Sequence, residues 1–511
     1  MESLKRLRSG SDVRGTALAV RPGEAIDLTD EAVSAIARAF LVWLSKKSGK
    51  AALTVAVGHD SRLSAERISG CVLGALTQSG ANALFCGLSS TPSMFMILQE
   101  KDIGADASVM ITASHLPCNM NGLKFFTKEG GLEGKDIADI LALAEDGASL
   151  TGSGSVKNYS YLGRYSENLV RFVREKTGKD KPLAGRKIAV DAGNGAGGFY
   201  AERVLAPLGA DVSAGQFLEP DGRFPNHIPN PENAEAMKSI SDRVKETGAD
   251  FGIIFDTDVD RAACVDKNGE EINRNRLIAL VSAILLDEKK GTIVTDSVTS
   301  DGLTEFIESR GGKHCRYKRG YKNVIDKAKE LNAAGEYAPL AIETSGHAAL
   351  KENYFLDDGA YLVTRILVKF AELAEKGREI SELIAALPEP VESAEVRLGF
   401  TAAGAADFKA KGNAAIADVI RRIPTLAGSP ALSGMTIAPD SYEGVRINFD
   451  AEHGKGWALI RMSLHEPIMP VNFESDTPGG SVSIAKELFV LLIPYAADID
   501  LSNLRKYIEK S

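Results

Sequence analysis

The chain has 511 residues, of which 44% are hydrophobic and 25% are charged, and its formal net charge at pH 7 is −9. This length exceeds what one hydrophobic core can organise, and the composition is typical of a globular protein with about three or four domains. The net acidity, with no basic stripe to offset it, argues against a nucleic-acid partner. An anionic ligand would therefore need local cationic pockets.

Cysteine usage and hydropathy indicate in which cellular compartment the chain is expected. The five cysteines are odd in number and lack the spacing of a metal site, so a disulfide framework is not expected. No apolar signal region follows Met1–Arg6. No stretch reaches the roughly 20 apolar residues of a membrane span. We expect a cytoplasmic chain with no membrane partner.

An internal repeat appears once the apolar strands are marked. Three times a predicted strand runs into a polar loop, at Leu53–Val57, Lys187–Val190 and Gly291–Val294. Each of these strands is followed, at a similar distance along the chain, by a second strand that ends in a richer polar loop. The pattern predicts three α/β units of similar size rather than one large sheet.

Breaks in composition delimit these units. Gly147–Ser155 is rich in glycine and serine, and Leu387–Pro390 contains two prolines. Beyond them, two strand-like pieces and a helix-like segment, Ser483–Leu492, indicate a smaller domain. The predicted fold is α/β, with three similar mixed α/β domains plus a smaller C-terminal α+β domain. The predicted domains are 1–155, 156–290, 291–390 and 391–511.

The first chemically rich loop reads T-A-S-H and follows the predicted strand Ala107–Ile111. Loops at the carboxyl ends of such strands are where α/β folds usually bind ligands. His115, Asn121 and Lys124 would place a base, an amide and a cation near the Ser114 hydroxyl, as a nucleophile or phosphate acceptor requires. Taken alone, the segment is equally compatible with a strand-to-helix turn in which the serine is an N-cap.

The second loop follows the apolar Phe251–Phe255 and carries Asp256, Asp258 and Asp260 in alternation. In an extended segment the three carboxylates would face one side and repel each other without a cation. They suit a hard divalent ion, Mg²⁺, with a phosphate oxygen completing its shell, and Arg261 offers a guanidinium fork to phosphate. The alternatives are a solvated acidic turn, disfavoured after a buried strand, and an EF-hand, whose glycine and glutamate offsets are absent.

Two further loops are weaker signals when taken singly. Glu343 and Ser345 stand two residues apart after a short apolar strand and can bind adjacent sugar hydroxyls, although a helix N-cap explains them too. Near the end of the chain, Arg461, Ser463 and His465 share one loop that could bind phosphate through charge-assisted hydrogen bonds.

Together, in this order, the four loops resemble those of the α-D-phosphohexomutase family, which includes phosphoglucomutase and phosphomannomutase. The likeness covers nearly the whole chain. Its most specific piece is Thr112–Lys124, and Asp256–Arg261 and Glu343–His347 follow in the expected order. Weaker matches are Ser9–Gly15, Gly58–Arg62, Thr91–Pro92, Pro229–Pro231, Gly320–Lys322 and Asp358–Gly359.

The resemblance implies an enzyme that interconverts hexose 1-phosphate and hexose 6-phosphate, of glucose or mannose, through a phosphoserine. It implies a hexose 1,6-bisphosphate intermediate that also serves as activator, one Mg²⁺ per chain, and phosphorylated hexoses as substrates. We expect a monomer or homodimer. Because the intermediate must turn around without escaping, we also expect a central cleft with the last domain as its lid.

The resemblance also assigns residues. Ser114 is implied as the phosphorylated residue of a phosphoserine domain, and its phosphate oxygen is implied as a metal ligand beside Asp256, Asp258 and Asp260 of a metal-binding domain. The residues implied around the transferring group are Arg14, His115, Lys124 and Arg261. Those implied to bind substrate, in the sugar-recognition and phosphate-binding domains that follow, are Lys322, Glu343, Ser345, His347, Arg461, Ser463 and His465.

The chain departs from the family pattern at two places, and these leave the preferred sugar open. Leu116 stands where asparagine is usual, and Leu464–Glu466 replaces small and hydroxyl residues. The alternative of a phosphoglucosamine mutase is disfavoured by Thr112, where that branch more often has serine. A catalytically silent sugar-phosphate-binding protein is disfavoured by the intact Ser114, aspartates and Lys124, and a phosphatase by the second phosphate loop.

Overall fold

The computed structural model describes residues 3–425, 434–463 and 466–510. The chain divides into two compact units. The first unit comprises the residues up to Leu277 together with Ser345–Glu382, and the second comprises Ile278–Thr344 together with the residues from Leu383 onward.

The first unit begins with a mixed sheet and the helices that cover it. Its strands are β1 (Arg8–Ser9), β2 (Asp12–Thr16), β3 (Thr54–His59), β4 (Asn82–Leu88), β5 (Ala107–Ile111), β6 (Met120–Thr127), β7 (Gly130–Gly131) and β8 (Val156–Asn158). The helices are α1 (Asp30–Ser48), α2 (Ala65–Gln78), α3 (Thr91–Met96) and α4 (Gly134–Glu145). The strand order is β1-β2-β6-β5-β3-β4-β8, with β7 beside β6.

Burial on both faces explains why the central strands of this sheet read as continuous apolar runs. β3 pairs in parallel with β4 and β5, and every residue of β5 is buried. Helix α1 packs Phe40 against Phe125 of β6, with ring centroids 4.5 Å apart. The same helix begins at the N-cap Thr29, whose hydroxyl accepts from Ala32 N, and ends at Gly49 with φ +69°. This strand pairing and helix packing fix the position of the carboxyl end of β5.

A second sheet completes the amino-terminal part of the first unit. Its elements are α5 (Leu162–Thr177), β9 (Ile188–Asp191), a π-helical turn (Ala201–Leu205), α6 (Ala234–Thr247), β10 (Phe251–Phe255), β11 (Ala262–Asp266) and β12 (Glu271–Ile272), followed by α7 (Arg274–Glu288), which continues into the second unit. The order is β12-β11-β10-β9, with β10 parallel to β9 and antiparallel to β11. The short β10–β11 connection holds the acidic loop.

The next part of the chain passes through both units. The second unit contains β13 (Thr292–Thr295), α8 (Asp301–Ser309), β14 (Lys313–Arg316), α9 (Tyr321–Ala333) and β15 (Leu340–Ile342). β13 lies between β14 and β15, and both pairings are parallel. The chain then returns to the first unit as the hairpin β16 (Ala348–Leu350) and β17 (Leu356–Asp357), and the buried helix α10 (Gly359–Glu375).

The rest of the second unit is an antiparallel sheet with helices on it. The elements are β18 (Glu392–Phe400), α11 (Ala402–Ala405), α12 (Phe408–Arg422), β19 (Met435–Ile437), β20 (Val445–Phe449), β21 (Gly456–Ile460), β22 (Ile468–Ser475), α13 (Gly480–Leu492), β23 (Ile499–Asp500) and α14 (Ser502–Lys510). The order is β19-β20-β21-β22-β18-β23. Its own apolar core includes Leu398, Ile447, Phe473 and Leu488.

Buried arginines connect the two parts of the second unit. Arg446 of β20 lies over the ring of Trp457, 3.6 Å from its centroid, and its Nη2 donates to Asp301 of α8 at 2.8 Å. Arg316 of β14 donates to the same carboxylate at 3.1 Å. Because a buried guanidinium is costly unless it is paired, these contacts bind the antiparallel sheet to the β13–β15 layer.

The predicted strands agree closely with the observed ones. Ala107–Ile111 and Phe251–Phe255 have the predicted bounds, and the strand predicted at Leu53–Val57 is β3, shifted by one or two residues. The mixed sheets and the separate antiparallel sheet are those that the sequence predicted, whereas the four domain boundaries stay a prediction. Among the helices that the described residues form, none is both long enough and apolar enough to cross a membrane.

Candidate active site

Ser114 lies on the loop that leaves the buried end of β5. It is 2% exposed, and its φ of +53° places a residue other than glycine in the left-handed region. Such a conformation costs roughly 1–3 kcal/mol and persists only when the surroundings fix it. One fixing contact is local, because the backbone N–H of Ser114 donates to Thr112 Oγ1 at 2.9 Å. The backbone is held so that the hydroxyl has a defined direction.

The acidic loop forms a compact cluster, but not in the way an extended segment would. Residues 257–260 form a turn and a bend, and Val259 has a φ of +69°, so the loop is not an extended segment. The turn nevertheless brings carboxylate oxygens of Asp256, Asp258 and Asp260 within 4.8 Å of one another. All three side chains are buried, and a cluster of this kind could hold a metal ion.

Ser114 and the acidic cluster belong to one site. The Ser114 hydroxyl donates to Asp256 Oδ2 at 3.2 Å, across 142 residues of sequence, and lies 3.3 Å from Nδ1 of His115. The predicted nucleophile therefore lies beside the predicted metal ligands and beside the predicted base.

A lysine and a threonine hold part of the negative charge. Lys124 Nζ donates to Asp260 Oδ2 at 2.6 Å and to Asp258 Oδ2 at 3.3 Å, and Thr91 Oγ1 donates to Asp258 Oδ2 at 2.5 Å. The other oxygens, Oδ1 of Asp258 and Oδ1 of Asp260, are buried and have no hydrogen-bond partner among the described residues. Buried carboxylate oxygens without partners are costly, so this donor set fits a divalent cation.

Asp256 and Asp260 have opposite pKa shifts. Burial and the charges of Asp260 and Asp258 raise the pKa of Asp256 well above its usual range. Burial alone would raise the pKa of Asp260 too, but the charges of Lys124 and Arg261 outweigh it and lower that pKa. A divalent cation bound among these carboxylates would favour the ionised form of Asp256 as well.

A short chain of contacts fixes the guanidinium of Arg261. Its Nε donates to Nε2 of His347 at 2.8 Å, and Nδ1 of His347 makes a short hydrogen bond to Asp357 Oδ2. Burial and the charge of Arg261 lower the pKa of His347 to about 3, so the ring is neutral and carries its proton on Nδ1, as both contacts require. Arg261 Nη1 also lies 3.2 Å from Glu232. Both ring nitrogens of His347 thus have protein partners, and its substrate contact stays a prediction.

His115 is also neutral in this environment. Burial, followed by the charges of Arg261 and Arg14, lowers the pKa of His115 to about 3. A phosphate dianion on Ser114 would raise that pKa, because a nearby opposite charge favours the imidazolium. Arg14, on β2, is itself paired with Asp12 at 2.8 Å. The basicity of His115 therefore depends on whether a phosphoryl group is present.

The second unit holds a separate group of predicted residues. Glu343 is 3% exposed and accepts a hydrogen bond from the backbone of Gly320 at 2.6 Å. Arg461 is 7% exposed, and burial together with the charge of Arg319 lowers its pKa despite the opposing charge of Glu443. The Nε of Arg461 is buried without a hydrogen-bond partner among the described residues. A buried cation with an unused donor suits an anionic ligand.

The predicted residues divide between the units. Those in the first unit are Arg14, Ser114, His115, Lys124, Asp256, Asp258, Asp260, Arg261, Ser345 and His347. Those in the second unit are Lys322, Glu343, Arg461 and Ser463. The Ser345 hydroxyl is buried without a partner among the described residues, and Ser463 Oγ accepts from Glu466 N at 3.2 Å. His465 lies outside the described residues, so its predicted phosphate contact stays a prediction.

Sequence reasoning missed three residues that shape the site, namely Thr91 on Asp258, Glu232 on Arg261 and Asp357 on His347. Thr91 did fall within a weak family match, but a Thr-Pro pair is also an ordinary helix start. Glu232 and Asp357 each lie next to a weak family match, Pro229–Pro231 and Asp358–Gly359, but neither carboxylate is part of that match. Only the folded chain shows which cation each one meets.

Comparison with known proteins identifies the family. Three models match in order along the chain: phosphoglucomutase/phosphomannomutase α/β/α domain I over residues 5–149, domain II over 163–269 and domain III over 273–391. Together they cover well over half of the sequence, so the chain belongs to the phosphoglucomutase/phosphomannomutase family. The predicted family, the predicted fold class and the predicted class of enzyme, an intramolecular phosphotransferase, are confirmed.

Individual relatives are similar to this chain along most of their length. A phosphomannomutase/phosphoglucomutase of Pseudomonas putida is 30% identical over 443 residues, which cover 85% of this chain and 87% of the relative. A phosphoglucomutase of Neisseria gonorrhoeae is 31% identical over 454 residues, which cover 88% and 90%. A crystal structure of a phosphoglucomutase/phosphomannomutase family protein from Burkholderia thailandensis has a TM-score of 0.77 at 26% identity, covering 96% and 98% of the two chains.

The neutral His347 predicts how stability depends on pH. Its pKa falls from 6.5 to about 3 on folding, so between these values the unfolded chain binds a proton that the folded site does not. The stabilising contribution is complete above about pH 6.5 and is lost as the pH falls. From pH 6.5 to 5, urea unfolding should show wild type losing about 2 kcal/mol more than His347→Asn.

A histidine with the opposite shift provides the control. Its hydrogen bond to Asp450 raises the pKa of His453, so that histidine stabilises the fold at low pH and loses its contribution as the pH rises. His453→Asn should therefore change the pH slope in the other direction. Equal slopes in wild type and His347→Asn would show that His347 is protonated in the folded site.

Proposed function

We propose that this chain is a phosphohexomutase that interconverts the 1-phosphates and 6-phosphates of glucose and mannose through phosphorylated Ser114. The observation that carries the proposal is the contact of the Ser114 hydroxyl with Asp256, 3.2 Å away, inside a buried cluster that Lys124 neutralises only in part. The names of the Pseudomonas and Neisseria relatives support these two sugars.

The metal of the proposed reaction is Mg²⁺, one per chain. Asp256, Asp258 and Asp260 would hold it together with an oxygen of phosphorylated Ser114, and the two unpartnered Oδ1 atoms of the cluster fit this role. A bound divalent ion would neutralise charge on the phosphoryl oxygens. Lys124 and Arg261 supply fixed positive charge beside it, which positions and stabilises the group in transfer.

The proposed reaction has two half-steps on the same serine. In the first, a sugar hydroxyl forms a bond to the phosphorus on Ser114 as the bond from phosphorus to Ser114 Oγ breaks. The sugar hydroxyl gives its proton to a base, and the leaving Ser114 Oγ takes up a proton and becomes a hydroxyl. The product is a hexose 1,6-bisphosphate. After it turns around, its other phosphoryl group moves to Ser114 Oγ by the reverse exchange of bonds. A free bisphosphate would therefore phosphorylate and activate the enzyme.

The remaining predicted residues would bind the part of the sugar phosphate that is not reacting. We propose that Glu343 and Ser345 bind sugar hydroxyls and that Lys322, Arg461 and Ser463 bind the distant phosphate. The buried, unused donor of Arg461 supports the second role. We propose that residues 1–155, 156–290, 291–390 and 391–511 are the phosphoserine, metal-binding, sugar-recognition and phosphate-binding domains. We also propose that the protein is a monomer or a homodimer.

Removing the proposed phosphoryl carrier gives the first functional prediction. Ser114→Ala should lower turnover of glucose 1-phosphate and mannose 1-phosphate, measured with added bisphosphate, by on the order of 10⁴-fold, because no oxygen remains to carry the group. Ser108→Ala is the matched control, since Ser108 is a buried serine of β5 whose hydroxyl contacts only the backbone carbonyl of Met94 among the described residues. An active Ser114→Ala variant would exclude the mechanism.

Removing one carboxylate of the cluster tests the metal site. Asp258→Asn should weaken Mn²⁺ or Mg²⁺ binding, measured by calorimetry, by at least about tenfold and should lower activity in parallel, because one charged ligand is lost. Asp191→Asn is the control, since Asp191 is equally buried in the first unit but bonds to His227 and Gln216. Unchanged metal affinity in Asp258→Asn would place the ion elsewhere.

The role of Glu343 can be tested on the substrate side. Glu343→Gln should lower kcat/KM for both sugars by roughly 5- to 150-fold, the equivalent of 1–3 kcal/mol for a mispaired buried group. Glu336→Gln, in the same unit and bonded to Thr292, should be near wild type. The sugar hydroxyls proposed for Glu343 are those on C3 and C4. If 3-deoxy and 4-deoxy analogues react as well as the parent sugars, Glu343 does not bind the 3- and 4-hydroxyls.

A further inference from the structure

Arg62 is buried beneath the Ser114 loop with all of its donors in use. It follows β3 in the G-H-D-S-R segment, and its side chain has no exposure to solvent. A guanidinium has five N–H donors in a fixed planar arrangement. Nε donates to Asp60 Oδ2 at 3.2 Å, Nη1 to the carbonyls of Pro117 and Met120 at 2.7 and 2.9 Å, and Nη2 to the carbonyls of Ser114 and Leu116 at 2.5 and 2.6 Å.

Asp60 fixes the direction of this guanidinium. It is also fully buried, and its Oδ1 accepts from the backbone N–H of Arg62 at 2.9 Å while Oδ2 accepts from Nε. On the other side the guanidinium lies 5.3 Å from the ring centre of Phe224. Taking such a pair out of water costs several kcal/mol, which only complete pairing offsets. The arginine is therefore held in one place with one orientation.

The four carbonyls all belong to one short segment, which starts at Ser114 and ends at the beginning of β6. The first of them is the carbonyl of Ser114 itself, the residue with the left-handed φ of +53°. A turn that directs successive carbonyls at one point needs a multidentate donor, and a lysine could not replace the planar fork. Arg62 therefore holds the backbone of Ser114 through its carbonyl, while the hydroxyl contacts Asp256.

We infer that Arg62 is a positioning residue for phosphoryl transfer at Ser114. Its hydrogen bonds and ring contact among the described residues are with the loop backbone, with Asp60 and with the Phe224 ring, and its charge also acts on Asp258 of the acidic cluster. The bonds to the loop carbonyls are what holds the direction of Ser114 Oγ toward Asp256. The inference rests on the proposed role of Ser114 as phosphoryl carrier. Since a misplacement of about 1 Å can cost about 10²-fold in rate, kcat rather than KM should change.

A buried arginine could also matter only for folding, and a matched control separates the two roles. Arg365 of α10 is equally buried in the first unit and pairs with Glu352 at 3.0 Å. Arg62→Ala and Arg365→Ala should both lower the unfolding free energy, because each removes a large buried side chain, and Arg62→Ala also leaves the buried carboxylate of Asp60 without its charged partner. Only the first should lower kcat, by about 10²-fold, with KM within about threefold of wild type.

Chemical rescue gives a readout that a merely structural role would not change. Guanidinium chloride at low millimolar concentration should restore kcat of Arg62→Ala at least tenfold by occupying the vacated space, whereas ethylammonium should not, and neither should affect Arg365→Ala. An equal loss of kcat in both alanine variants, with no rescue, would overturn the inference.

Arg62→Lys keeps the inference testable if the alanine variant does not fold. This variant retains the charge but not the fork, so kcat should fall at least tenfold while phosphorylation of Ser114 by glucose 1,6-bisphosphate is still detectable. A wild-type kcat would overturn the inference. Ser114→Ala is assayed in parallel: if it is active, the proposed function fails, and if it is inactive while Arg62→Lys has a wild-type kcat, only the role of Arg62 fails.

Discussion

Three carboxylates buried on one short turn are the constraint on which the rest of the site depends. Asp256, Asp258 and Asp260 repel each other strongly in a medium of low dielectric, and Lys124 compensates only part of their charge. The buried Oδ1 atoms of Asp258 and Asp260, which have no hydrogen-bond partners among the described residues, and the raised pKa of Asp256 fit a cluster that could hold a cation. Fixed charges of this kind can stabilise a phosphoryl group in transfer.

The same constraint explains why so much of the surrounding structure is fixed. Arg261 is oriented by His347, which Asp357 in turn holds in one tautomer, and the Ser114 backbone is fixed in a strained conformation. Charges that are held in place before the substrate arrives need little reorganisation during the reaction. The strained backbone of Ser114 is stabilised by the buried Arg62, which donates hydrogen bonds to the carbonyls of Ser114 and Leu116.

Much of this could be predicted from the sequence because its signals are local. Ala107–Ile111 and Phe251–Phe255 are uninterrupted apolar runs, and the loops after them carry their chemistry in consecutive residues. What could not be predicted depends on partners far apart along the chain. Asp258 accepts a hydrogen bond from the hydroxyl of Thr91, 167 residues away. Nothing in a single threonine indicates this contact. The spacing of the three aspartates indicated a cation site but not the shape of their loop, which turns at the left-handed Val259.

Labelling with ³²P shows directly whether Ser114 carries the phosphoryl group. The protein is mixed with glucose 1,6-bisphosphate that carries ³²P, quenched within milliseconds, digested and mapped by mass spectrometry. We expect close to one label per chain, on the peptide that contains Ser114. The label should pass to hexose phosphate when unlabelled substrate is added. A label on any other residue, or a chain that turns over substrate without becoming labelled, would contradict it.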